Sequence, residues 1–383
     1  MQFTRRGLLQ AAVAGPAGAR LLAQAVPDYD PRQLLRPPRV TCAMWDFSWL
    51  KSHYPGGPFE DWDKTTDELL ERQFNTVRID AFPLLIGELK GLDDEAMMPA
   101  EPLANWGFSD RDRKHRVARD LVEFVRIAKR KKLHVILSTW NSVLGEQPGL
   151  KRRVAVDREI YRHSWSRTLD LLGENDLLDT ILYVDLDQEF PYFSPYGDEL
   201  KALRTTATHA STSLQGAMEE AAQADQGLTK MAWTPEQFQY VEKLFREMIP
   251  YFQGKYPSLR FTYSLTSFFK EVRSMGLELF DVLELHLWIH SPRFDNRTGF
   301  NTLVKDRGQR DYKDYAARIR KTLDSVRPML MQEMRNHLAF AAEWSKEIAA
   351  PVVTTEAWGP WWNMDAPRSR LAMACSATIR SPG

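Results

Sequence analysis

The sequence predicts an α/β protein, a (β/α)8 TIM barrel. Three observations predict it. Strand and helix patterns alternate along the chain. Several strands place Arg, Asp, Glu or His on one face and Leu, Val or Ile on the other. The chain has 383 residues and is 43% hydrophobic, enough for one barrel-sized core.

The strand patterns are Val40–Phe47, Asn75–Phe82, Leu133–Trp140, Ile181–Glu189, Arg260–Thr266, Val282–His290 and Pro351–Trp358. Helical patterns fall between them: Trp62–Arg72, Arg113–Lys131, Arg158–Leu172, Pro235–Phe252, Tyr312–Val326 and Glu333–Ile348. A stretch near 191–234 has no strand signal and reads as a helical insert. No internal repeat and no Gly/Ser linker appears, so residues 26–383 are expected to form a single catalytic barrel domain.

The strand faces choose a barrel over an open sheet. Glu284, His286, Trp288 and His290 alternate with Leu283, Leu285, Leu287 and Ile289. Tyr183, Asp185, Asp187 and Glu189 alternate with Leu182, Val184 and Leu186. Arg78 and Asp80 oppose Val77 and Ile79, and Thr262, Ser264 and Thr266 oppose Phe261, Tyr263 and Leu265. Side chains alternate faces along a strand. A sheet with helices on both faces prefers continuous apolar strands. A barrel instead gathers its polar positions at the C-terminal strand ends.

Composition narrows the partners. Lys plus Arg equals Asp plus Glu at 51 each, so the basic excess of a nucleic-acid binder is missing. The 12 Trp, 12 Tyr and 19 Phe suit either aromatic platforms in a cleft or a large core. The two cysteines, Cys42 and Cys375, are too few for a disulfide framework or a Cys-based metal site. No segment reaches the roughly 20 apolar residues that span a bilayer. Thr4-Arg5-Arg6-Gly7-Leu8-Leu9-Gln10 resembles a twin-arginine export signal. An apolar stretch to Ala23 and a small-x-small site at Ala23-Gln24-Ala25 follow, placing cleavage after Ala25. A periplasmic or secreted protein, carried by the twin-arginine export machinery, is the expectation.

The chemistry concentrates on two carboxylates. Glu189 ends the fourth strand before Phe190-Pro191, and Glu356 ends the seventh before Ala357-Trp358-Gly359. Two carboxyl groups flanking a bond are what glycoside cleavage needs. One protonates the leaving oxygen; the other attacks the anomeric carbon or activates water. Trp358, Trp361 and Trp362 offer flat surface for a sugar ring. Two other readings stay open. Asp185, Asp187, Glu189, Glu284, His286, His290 and Glu356 could bind a hard cation, as in barrel-fold sugar isomerases. They could also form an internal salt-bridge network around Arg78.

The order of these motifs over roughly residues 40–362 resembles glycoside hydrolase clan A, the retaining (β/α)8 barrels, and especially the cellulase-like sequences near family 5. Gln188-Glu189-Phe190-Pro191 stands where that clan has its acid/base Glu, and Thr355-Glu356-Ala357-Trp358 where it has its nucleophile. Arg78 resembles the clan's strand-two Arg, and His286-Leu287-Trp288 its strand-six His-x-Tyr. The resemblance implies an oligosaccharide, polysaccharide or glycoside substrate, with Glu189 as general acid then base and Glu356 as nucleophile. It implies substrate contacts from Arg78, Asp46, Trp140, Asn141, Gln188, His286, Trp288 and Trp358, with no metal or other cofactor. The clan's Asn is Gln188 here, and its Tyr is Trp288. Ser369–Ile379 reads as the helix after strand seven, and no strand pattern follows before Gly383. The eighth strand is therefore expected to be missing from a truncated or frameshifted chain, or to be makeshift. A barrel that binds carbohydrate without turnover is the alternative that this departure raises.

Overall fold

The computed structural model describes residues 39–98, 100, 111–141, 154, 157–207, 233–287 and 312–357, apart from 267 and 277. Among the described residues, seven parallel strands carry the architecture. They are β1 (Cys42–Asp46), β2 (Thr76–Asp80), β5 (His134–Ser138), β6 (Ile181–Asp185), β7 (Phe261–Thr262), β8 (Leu283–Glu284) and β9 (Val352–Val353). A short antiparallel pair, β3 (Ala96–Met98) with β4 (Arg113–His115), lies in the connection after β2. The main sheet runs β1-β2-β5-β6-β7, and β8 pairs with β9. The bridge from Leu265 to Leu285 carries the order from β7 to β8. Each strand thus neighbours the next in sequence, the order of a TIM barrel. Among the described residues no pairing joins β9 to β1.

Curvature is visible in what the strands bring together. Cys42, Ile136, Leu182, Tyr183, Val282 and Val353 form one buried cluster. They come from both ends of the strand order, and a flat sheet would hold them far apart. The outward set, including Val77, Ile79, Val135, Leu137, Val184 and Phe261, joins the larger core under the helices. Helix Val117–Arg130 shows why. Its apolar residues Val117, Leu121, Val122, Phe124, Val125 and Ala128 recur at helical spacing and are buried. Helix Pro235–Lys255 starts with Pro at its first position and a reciprocal cap between Thr234 and Gln237.

Local structure departs from the sequence expectation in two places. The helix expected over Arg113–Lys131 begins only at Val117, because Arg113–His115 pairs with Ala96–Met98. The two helices expected over Tyr312–Val326 and Glu333–Ile348 are one helix, Tyr312–Ile348, running through Pro328. Proline removes one backbone donor there without ending the helix. The insert forms helix Gly197–Ala207. The export signal, Cys375, Trp106, Trp288, His290, Trp358, Trp361, Trp362 and the tail after Ala357 lie outside the described residues. No helix among the described residues is long and apolar enough to cross a membrane.

Candidate active site

Arg78 is the hub. It sits in β2, fully buried, where only fixed partners can offset the cost of its charge. Its guanidinium donates to both oxygens of Asp46 at 2.9 Å each, a two-pronged pairing with the end of β1. The same group donates to Glu356 Oε1 and to Thr355 Oγ1, both just beyond β9. Its Nη1 lies 3.7 Å from Glu284 Oε1 in β8. One side chain thereby ties strand two to strands one, six and seven of the barrel order.

Glu356 is held by one oxygen. Arg78 and Gln188 both donate to Oε1, the latter from Nε2 at 2.9 Å. Burial pushes the Glu356 carboxyl upward, and the nearby Glu189 charge adds to the push. The charges of His286 and Arg78 pull the other way. Gln188 is oriented from behind: its Oε1 accepts from Ser138 Oγ at 3.0 Å. Ser138 also donates to Asp185 Oδ2 at 2.7 Å. Burial, with the Glu284 charge next, drives the Asp185 carboxyl well above the ordinary carboxylate range.

Glu189 reaches the same space by a backbone departure. The expected strand Ile181–Glu189 keeps ladder geometry only to Asp185. Glu189 itself has φ 49°, in the left-handed region, and its N–H donates to Ser264 Oγ at 2.9 Å. Strict alternation therefore fails here. Gln188 and Glu189 both serve the polar interior, whereas neighbours on a strand would face opposite ways. Asp187, expected on the same face as Glu189, accepts from Asn141 Nδ2, and its charge acts on the buried Tyr161, Tyr196 and Tyr263.

His286 joins the two glutamates. Its Nδ1 is 3.0 Å from Glu189 Oε1 and 3.6 Å from Glu356 Oε2. Its Nε2 is 3.5 Å from Glu284 Oε1 and 3.3 Å from Arg78 Nη1. Burial opposes charge on the ring, but Glu356, Glu189 and Glu284 outweigh it and push the imidazole up to about 10. One donor atom each from Glu189, His286 and Glu356 lies within 4.8 Å of the other two.

The structure thus brings together Asp46, Arg78, Gln188, Glu189, His286 and Glu356. Trp140 follows β5, its backbone N–H on Asp80 Oδ2 at 2.9 Å and its ring edge-on to Phe193. Asn141 is 3% exposed with φ 51°, and its Oδ1 has no hydrogen-bond partner among the described residues. Trp45 and Trp49 belong to the packing instead: Trp45 meets Phe59 and Phe124, and Trp49 is fully buried with its indole on Asp80 O. Sequence reasoning gave no site role to Ser138, Ser264 or Thr355. Ser264 lay on the inward face of its strand pattern and Thr355 beside Glu356, and nothing singled out Ser138. His115 is 6% exposed and near Asp120.

This arrangement of a polar centre at C-terminal strand ends is where TIM barrels carry their sites. The family described as sugar-binding, cellulase-like matches residues 42–371, and the chain belongs to it. The fold is the TIM barrel. A crystal structure from Parabacteroides distasonis, solved as a candidate glycoside hydrolase, is similar with 24% identity and a TM-score of 0.63. That match covers 87% of this chain and 79% of the other. A crystallised β-glycosidase is more distant, at 12% identity and a TM-score of 0.35, covering 86% of this chain and 87% of its own. No curated protein matches the sequence.

Proposed function

We propose that the protein is an exported, retaining glycoside hydrolase, periplasmic or secreted through the twin-arginine route. The observation that carries this reading is the convergence of Glu189 and Glu356, donor atoms within 4.8 Å, from two different strand ends. Retaining enzymes need carboxyl groups about 5–5.5 Å apart, and inverting ones roughly 6.5–9.5 Å to admit a water. The short spacing supports retention. Membership of a sugar-binding, cellulase-like family supports a carbohydrate substrate, and the description of the Parabacteroides distasonis relative as a candidate glycoside hydrolase agrees with it.

In this reading Glu189 gives its proton to the glycosidic oxygen as the bond to the anomeric carbon breaks. Glu356 attacks that carbon and forms a glycosyl-enzyme ester. Glu189, now ionised, takes a proton from water, whose oxygen displaces Glu356 and restores both groups. Arg78 and Gln188 hold the Glu356 oxygen that does not face His286. Trp140, Asn141, Trp288 and Trp358 are assigned to the sugar.

The family's sugar-binding description favours a second reading, a barrel that binds without turnover. The test is a panel of aryl glycosides and β-glucans, with product configuration read by NMR and a 2-fluoroglycoside as covalent trap. Retention and an adduct on Glu356 are expected. An inverted product would overturn the retaining mechanism, and binding without turnover, unchanged in Glu189→Gln, would overturn hydrolysis.

A further inference from the structure

His286 presents one nitrogen to both proposed catalytic carboxylates. Nδ1 lies 3.0 Å from Glu189 Oε1 and 3.6 Å from Glu356 Oε2. A four-coordinate ion with bonds of about 2.0–2.1 Å places its ligand atoms about 3.3 Å apart, and the two contacts bracket that figure. The third separation, between Glu189 and Glu356, is within 4.8 Å. Among the described residues, no other three His, Cys, Asp or Glu donors come this close.

Three further features suit an ion. Arg78 and Gln188 hold Glu356 by Oε1, so Oε2 is the oxygen that faces the ring. Behind the ring, Nε2 is 3.5 Å from Glu284 Oε1. A carboxylate behind an imidazole is what orients a metal-binding histidine. The buried carboxylates Asp46, Glu189, Glu284 and Glu356 also outnumber the cationic side chains among them, Arg78 and His286.

We infer that Glu189, His286 and Glu356 form a three-ligand site for a divalent first-row transition ion, Zn2+ foremost, whose occupation blocks turnover. Two carboxylate oxygens and one imidazole nitrogen suit Zn2+ and Co2+, whereas Mg2+ prefers oxygen ligands alone. On binding, Nδ1 releases its proton to solvent and its lone pair takes the ion. The fourth position is left to water. With both carboxylates on the ion, neither can attack the anomeric carbon or pass a proton. The binding claim stands on the geometry; the blocking claim rests on the hydrolase reading.

The test uses tag-free full-length protein stripped with chelator. Co2+ is expected to bind one per chain with the visible absorption of a low-coordinate site, and Zn2+ to displace it. Zn2+ should raise the melting temperature, as any ligand of the native state does, and Mg2+ should do neither. Glu189→Gln, His286→Gln and Glu356→Gln, each checked for native circular dichroism, should weaken Co2+ binding at least tenfold. Glu284→Gln should weaken it about 10–100-fold. Absence of Co2+ absorption, or binding unchanged in the folded Gln variants, overturns the site. Metal-free protein is trapped with the 2-fluoroglycoside in parallel. An adduct on Glu356 without Zn2+ binding overturns this inference alone. Zn2+ binding without an adduct overturns the hydrolase reading alone. Turnover raised by Zn2+ overturns the blocking.

Discussion

The two ends of the barrel interior are built from the same strands yet differ in chemistry. At one end Cys42, Ile136, Leu182, Val282 and Val353 pack into an apolar plug. At the other, Asp46, Arg78, Glu284, His286 and Glu356 share one charged network. β8 shows the step: Val282 belongs to the plug, and Glu284 and His286, two and four residues on, belong to the site. Two residues along a strand is about 7 Å on the same face. The plug holds the wall together by burial, and the site spends part of that stability to keep charges out of water.

The sharpest way to break this contrast is at Glu189. Glu189→Gln keeps the shape but removes the proton donor, so turnover of substrates with poor leaving groups should fall about 10²–10⁴-fold. The melting curve should hold. Steady-state kinetics beside calorimetry would show the two effects apart, and equal loss of both would merge site and scaffold.

Arg78→Met tests whether the charged end is also structural. It leaves Asp46, Glu284 and Glu356 buried without their shared cation, a loss of about 3–5 kcal/mol. Urea unfolding measures it. A loss under 1 kcal/mol would mean that water already reaches these carboxylates.

Ile136→Ala cuts the plug. The expected cost is about 2–5 kcal/mol, with kcat/KM nearly unchanged at temperatures where the protein stays folded. A matching fall in kcat/KM would show that the two ends are mechanically coupled.

The smallest effect is on pH dependence. The imidazole of His286 is pushed up to about 10 from 6.5. A raised value means that the folded state binds the proton more tightly. This contribution is complete below about pH 6.5 and drains away as pH rises through about 10. Melting temperatures measured across that window should fall, and less steeply in His286→Gln. A parallel slope in the variant would assign the loss to other groups.

Much of this was legible in the chain. Each of the seven strand patterns contains an observed strand, and Arg78, Gln188, Glu189, His286 and Glu356 do converge. Alternation made them legible, because period two is a local property. It misled where the backbone leaves the ladder. Asp187 was assigned beside Glu189, but φ 49° at Glu189 and the strand's end at Asp185 re-aim the segment. Gln188 looked like a group for substrate, and its amide instead holds Glu356.

By itself the sequence determined the alternation of strands and helices, the polar face of four strands, and the carboxylates at the ends of strands four and seven. Those follow from side-chain periodicity and from turn residues a few positions apart. The tertiary structure alone decided that Arg78 meets Glu356 across 278 residues, and that His286 falls between two glutamates. Such contacts depend on how far the wall curls, which is set by the packing of all the strands together and written in no single segment.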